Sequence, residues 1–152
     1  MLHYLWSKQD YLVVTEDMLK AAARNWRSGL RVLQYLWSKQ DNLVITEKIL
    51  KAAADNFRRR TLVNRSVPLS FSQGLQIIHF LWSKNSGLLI TPTTLQIAAK
   101  NTACGLQILQ FFWEKDKKLQ VTEDLLEAAR NNLDQSFRVG RFLSCQKHDL
   151  SI

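Results

Sequence analysis

Between residues 28 and 39 the apolar positions Leu30, Leu33, Leu36 and Trp37 recur at helical spacing, and Val32 and Tyr35 widen the stripe. Arg31, Gln34 and Ser38 leave only a narrow polar face, so a helix this apolar has to be covered on most of its sides. Gln40, Asp41 and Asn42 read as a turn, after which Leu43, Val44 and Ile45 lead into Thr46. A second helix is predicted from Glu47 to Asp55, burying Ile49, Leu50 and the run Ala52, Ala53 and Ala54, whose small side chains let neighbouring helices approach closely. Thr46 is its predicted N-cap, the hydroxyl accepting from a first-turn amide, and Glu47 stands where the helix dipole favours an anion. Glu47 with Lys51, and Glu16 with Lys20, are spaced for i,i+4 pairing. Asn56 is expected to end the helix in the left-handed conformation.

The same pattern stands four times. Thr15, Thr46, Thr91 and Thr122 follow one another at spacings of 31, 45 and 31 residues. Each is preceded at fixed offsets by a tryptophan (Trp6, Trp37, Trp82, Trp113) and a lysine (Lys8, Lys39, Lys84, Lys115), and followed by an asparagine (Asn25, Asn56, Asn101, Asn132). In the third copy Pro92 replaces the glutamate, at the first helical position, where proline is tolerated. A fixed period of this length predicts a stack in which no unit buries its apolar face alone. The expected fold is therefore all-α: one solenoid domain over residues 1–152, made of about four to five helix–turn–helix units with a 31-residue period. The units run approximately over 1–26, 27–57, 72–102 and 103–133, with a partial copy over 134–152. Leu2 to Trp6 aligns with Leu33 to Trp37, and Phe137 to Leu143 aligns with Leu30 to Leu36 before Ser144 takes the tryptophan's place. The array is thus cut within a repeat at both ends. Neither end shows an obvious polar capping face, so self-association through the uncapped ends is expected.

Charge changes this picture less than its total suggests. The net charge is +8, but residues 58–71 carry Arg58, Arg59, Arg60 and Arg65 without an acid and supply half of it. That segment, with Pro68 and its serines, reads as a basic inserted loop and accounts for the longer spacing. It is either a tolerated surface excursion or an exposed arm for an anionic partner. The lysines of the repeat end the first helix, where a cation complements the dipole; Lys39 and Lys84, with the loop arginines, are the candidate residues of an anion-binding ridge.

No pattern for catalysis is found. There is no glycine-rich phosphate loop and no serine or cysteine in a nucleophile-elbow setting, so no enzyme is expected. Cys104 and Cys145 lie in different repeats without metal-ligand spacing, which favours a reduced, cytoplasmic setting. His3 and His79 share one repeat position two units apart, about 20 Å at ordinary helix spacing, too far for one metal ion. Neither cofactor nor metal is expected. No apolar run reaches the roughly 18 residues of a membrane span, so no membrane partner is expected. The tryptophans read as core packing. The candidate binding face is the polar ladder of Arg31, Gln34, Gln76, His79, Gln107 and Gln110, because equivalent positions of a solenoid line one surface.

The strings Val14-Thr15-Glu16-Asp17, Ile45-Thr46-Glu47-Lys48 and Val121-Thr122-Glu123-Asp124 resemble the "(V/I)TE" helix start of a family of short tandem helical repeats. So do Leu19 to Asn25 and Leu50 to Asn56, of the "AAA.N" type, and Gly29 to Leu33 between them. Such repeats occur in large filamentous-fungal proteins with NACHT-type NTPase or other signalling domains, alongside or in place of ankyrin-like arrays. The resemblance implies a helical interaction scaffold with no catalytic residues. Three readings follow: a non-catalytic scaffold for protein–protein interaction; a nucleic-acid or anionic-surface binder using the insertion and lysines; and an enzyme with a pocket between repeats.

Overall fold

The structure, a computed structural model of the chain, describes residues 13–56, 73–133 and 135–149, with side chains to residue 147. Among these residues there are eight helices and no strand. They are α1 (Glu16–Arg24), α2 (Gly29–Lys39), α3 (Glu47–Ala54), α4 (Gln73–Lys84), α5 (Pro92–Lys100), α6 (Gly105–Lys115), α7 (Glu123–Arg130) and α8 (Ser136–Asp149). The expected all-α repeat arrangement is the one that forms.

The helices stand in two rows: α1, α3, α5 and α7 side by side, and α2, α4, α6 and α8 beside them. Across the rows the close pairs are α1 with α2, α3 with α4, α5 with α6 and α7 with α8. Helices joined by the extended links, such as α2 and α3, touch little. The tight unit is therefore a hairpin of threonine-capped helix, asparagine turn and glycine-opened helix, offset by half a period from the frame in which the pattern reads most easily.

Backbone proximity explains the pairing. A Cβ on Gly29 would sit 2.4 Å from the carbonyl oxygen of Ala22, and one on Gly105 the same distance from that of Ala98. Only a hydrogen there lets one helix rest on the last turn of the other. Gly74 is seated likewise, with its Cβ position 2.7 Å from the carbonyl oxygen of Asn56. Sixteen residues, 57–72, separate that turn's two sides, so the insertion leaves and rejoins the array at a closed hairpin. Arg58, Arg59, Arg60 and Arg65 themselves lie outside the described residues, as do His3, Trp6 and Lys8.

Several local expectations need correction. Asn25 and Asn101 end their helices in extended, not left-handed, conformation (φ −75° and −68°), and α3 is capped by Asp55 in right-handed helical conformation. Among the described residues the left-handed one is Asn42 (φ 60°), in the turn after α2. The hydroxyls of Thr15, Thr91 and Thr122 accept from the amides of Met18, Thr94 and Leu125, but Thr46 makes no such capping bond and donates to Glu16 instead. Glu47 pairs with Lys51 at 2.6 Å, whereas Glu16 turns from Lys20 toward Lys48 of the next hairpin, at 3.4 Å.

Candidate interaction surface

What the array can offer a partner depends on which polar groups it consumes internally. The asparagines are consumed. Asn56, Asn101 and Asn132 are buried, and each sends its Nδ2 back to a helix-end carbonyl of the preceding hairpin: Ala23 at 2.6 Å, Ala54 at 2.8 Å and Ala99 at 2.8 Å. Asn101 and Asn132 also reach the carbonyls of Asn56 and Asn101. Their Oδ1 atoms turn the other way: that of Asn101 accepts from the amides of Ala103 and Cys104, and that of Asn132 from Gln135. One side chain thus closes its own turn and ties it to the turn before. The orphan carbonyls that a left-handed cap would have satisfied are taken by the neighbour's amide.

Further rungs follow the same direction. The hydroxyls of Thr46 and Thr91 donate to Glu16 and Glu47, each in the hairpin before. Pro92 removes the acceptor for Thr122, so that rung is missing. Gln73 and Gln135 bridge turns in alternate hairpins, donating to the carbonyls of Arg27 and Ala103 and accepting from the amides of Leu30 and Leu106. On the apolar side Trp37 meets Phe80, Trp82 meets Phe111 and Trp113 meets Phe142, each edge to face at 5.5–5.8 Å. These three tryptophans join neighbouring helices of the α2–α4–α6–α8 row.

Side-chain donors hold the Glu16 and Glu47 carboxyls below the ordinary glutamate range. For Glu16 the Thr46 hydroxyl is the largest cause, burial opposes it, and Lys48 adds to the lowering; for Glu47 the Lys51 hydrogen bond leads, followed by Thr91. A folded-state pKa below the unfolded one contributes stability above the unfolded pKa, which is lost as pH falls through the folded value. Thermal stability should therefore drop on acidification below about pH 4.5. Thr46→Val removes the donor to Glu16 without removing a cap, so its melting temperature should fall less steeply between about pH 5 and 3 than that of the parent. Equal slopes would show that this rung does not couple to folding.

The outer ladder is not consumed. Arg31 and Gln34 on α2, Gln76 and His79 on α4, and Gln107 and Gln110 on α6 are all exposed, at matching positions of three helices packed side by side. The polar groups of Arg31, Gln34, Gln76, Gln107 and Gln110 have no hydrogen-bond partner among the described residues. His79 differs, because its ring lies on that of Phe111 in the next helix, centroids 4.3 Å apart. The lysines are engaged: Lys39, Lys84 and Lys115 lie 5.2–5.4 Å from the ring centres of Tyr35, Phe80 and Phe111, one turn earlier on their own helices. The placing of each lysine four residues after an aromatic is the sequence signal for this contact.

A second exposed row was also missed. Val13, Val44 and Leu89 stand two residues before their cap threonines and are about two-thirds or more exposed, with Gln120 at the fourth place. The sequence reads them as the apolar lead into the capped helix, and nothing in composition separates them from the buried Val14, Ile45 and Ile90 beside them.

A family described as "Domain of unknown function (DUF7104)" matches residues 8–32 and 36–60, about a third of the chain. Both matched stretches contain the capped helix and its asparagine, Thr15 to Asn25 and Thr46 to Asn56, so the similarity covers two tandem repeats. No curated protein and no solved structure matches the chain. No helix among the described residues is long and apolar enough to cross a membrane.

Proposed function

We propose that the protein is a non-catalytic helical-repeat scaffold that binds another protein across the Arg31, Gln34, Gln76, His79, Gln107 and Gln110 ladder. The observation that carries this reading is the division of polar labour. Asparagine, threonine and glutamine side chains inside the array are tied from hairpin to hairpin, while the ladder displays amides and a guanidinium with no internal partner. A rigid backbone holding spare donors and acceptors at fixed spacing recognises a surface without doing chemistry. Resemblance of the "(V/I)TE" and "AAA.N" strings to repeats of fungal signalling proteins supports the same reading.

The test is capture of partners from a lysate, with and without nuclease, by the native chain and by a triple variant carrying Gln34→Glu, Gln76→Glu and Gln107→Glu. Proteins that survive nuclease and are lost with the triple variant are the expected result. Capture that nuclease abolishes and the substitutions leave untouched would transfer the function to Lys39, Lys84 and the arginine-rich insertion.

A further inference from the structure

We propose that the outer face of the α7–α8 hairpin is a two-fold docking surface that receives the same face of a second copy of this chain. This surface is separate from the polar ladder, so the inference goes beyond the scaffold reading and does not depend on it.

The face is one that the array covers everywhere else. Leu30, Leu75 and Leu106, one residue after the helix-opening glycines, are half-buried, and Leu33, Ile78 and Leu109, three residues further, are wholly buried under the following hairpin. At the matching places in α8 stand Phe137, 79% exposed, and Gly140, whose missing Cβ would meet nothing within 4 Å. In α7 Leu126 is only half-buried where Leu19, Leu50 and Leu95 are buried, and Leu133 in the turn is 91% exposed.

A further hairpin stacked in the same sense does not suit this face. Arg130 occupies the position at which Ala23, Ala54 and Ala99 are completely buried against the next helix. Ser144 replaces the tryptophan whose ring meets the next aromatic in the three preceding helices of the row. Both replacements remove contacts by which the interior hairpins stack. What remains apolar is self-complementary instead. Phe137 projects, and one and two turns along the same side of α8 the small residues Gly140 and Ser144 leave a gap. Two antiparallel α8 helices related by a dyad near residue 140 place each Phe137 over Ser144 and Gly140 of the other copy, a closed two-fold contact. Leu133 and Leu126 extend the apolar centre. Exposed Glu127, Arg130 and Arg141 give this face charges of both signs, Arg130 being paired with Glu123 of its own helix at 3.3 Å.

The test is the mass of the full chain by light scattering across roughly a hundredfold concentration range around 10 µM. The expected result is passage from 17.7 kDa to twice that mass, and no further. Phe137→Glu and Gly140→Leu, the one removing the projection and the other filling the gap, should each raise the midpoint by about tenfold or more while helix content stays unchanged. Ala21→Arg, on the exposed outward side of α1, should leave the midpoint unchanged. A monomer at every concentration, or a dimer indifferent to both α8 variants, overturns the proposal. Growth beyond twice the mass that Ala21→Arg abolishes overturns it in favour of head-to-tail stacking.

Discussion

Asn101→Ala is expected to be the most damaging conservative change in the molecule, costing about 4 kcal/mol of stability. The side chain is 1% exposed; its Nδ2 donates to the carbonyls of Ala54 and Asn56, and its Oδ1 accepts from the amides of Ala103 and Cys104 and from the Cys104 thiol. Truncation strands two buried acceptors and two donors, each worth about 1–3 kcal/mol where water cannot replace the lost partner; relaxation at the turn keeps the total below the simple sum. Against a whole stability of about 5–15 kcal/mol this is a large fraction. The loss also falls on the contact between the second and third hairpins, so the denaturation transition should broaden as the halves of the array uncouple. Asn25→Ala supplies the comparison. Asn25 is exposed and, among the described residues, its side chain accepts only from the amides of Arg27 and Ser28, so about 1 kcal/mol is expected there. Urea unfolding of the two variants reads the difference directly. Equal losses would mean that the reach between hairpins adds nothing to turn capping.

The second large effect comes from adding a methyl group. Gly105→Ala should destabilise the chain by about 3 kcal/mol, because the new Cβ falls 2.4 Å from the Ala98 carbonyl oxygen, a backbone atom that cannot rotate away. Helices α5 and α6 would have to separate, and with them the seat of Asn132, whose Nδ2 lies 3.6 Å from the same Cβ position. The gain in helix propensity, about 1 kcal/mol, is too small to offset this. Gly140→Ala should have the opposite sign. Its Cβ meets nothing within 4 Å, so the propensity gain of about 0.5–1 kcal/mol stands alone. Melting temperatures of the two variants, taken at dilute concentration, check both. A neutral Gly105→Ala would show that the hairpin units are not held by backbone contact.

Much of this architecture is legible in the chain. Recurrence of threonine, asparagine, tryptophan and lysine at fixed offsets names a stack of helices, and the alanine runs name the face on which they meet. Side-chain period is set locally, by 3.6 residues per turn, so burial of Leu33, Leu36 and Ile49 follows from spacing. Helix starts at Thr15, Thr91 and Thr122 follow from cap chemistry for the same reason.

The fate of each polar side chain does not follow from spacing, since it depends on which backbone lies across the contact. Asn56 and Asn101 look like left-handed terminators until the preceding hairpin brings a helix-end carbonyl to their Nδ2. Thr46 looks like its sister caps, yet its hydroxyl donates to Glu16 of the neighbouring hairpin and makes no capping bond. Local sequence by itself determined the eight helices, their apolar faces and their period, because those are settled within a few residues of chain. Tertiary structure alone decided the seating of Gly29 and Gly105 on the preceding helix, the asparagine and threonine rungs, and the exposure of Phe137 beside Gly140, because each depends on which backbone lies across a contact and not on the local period.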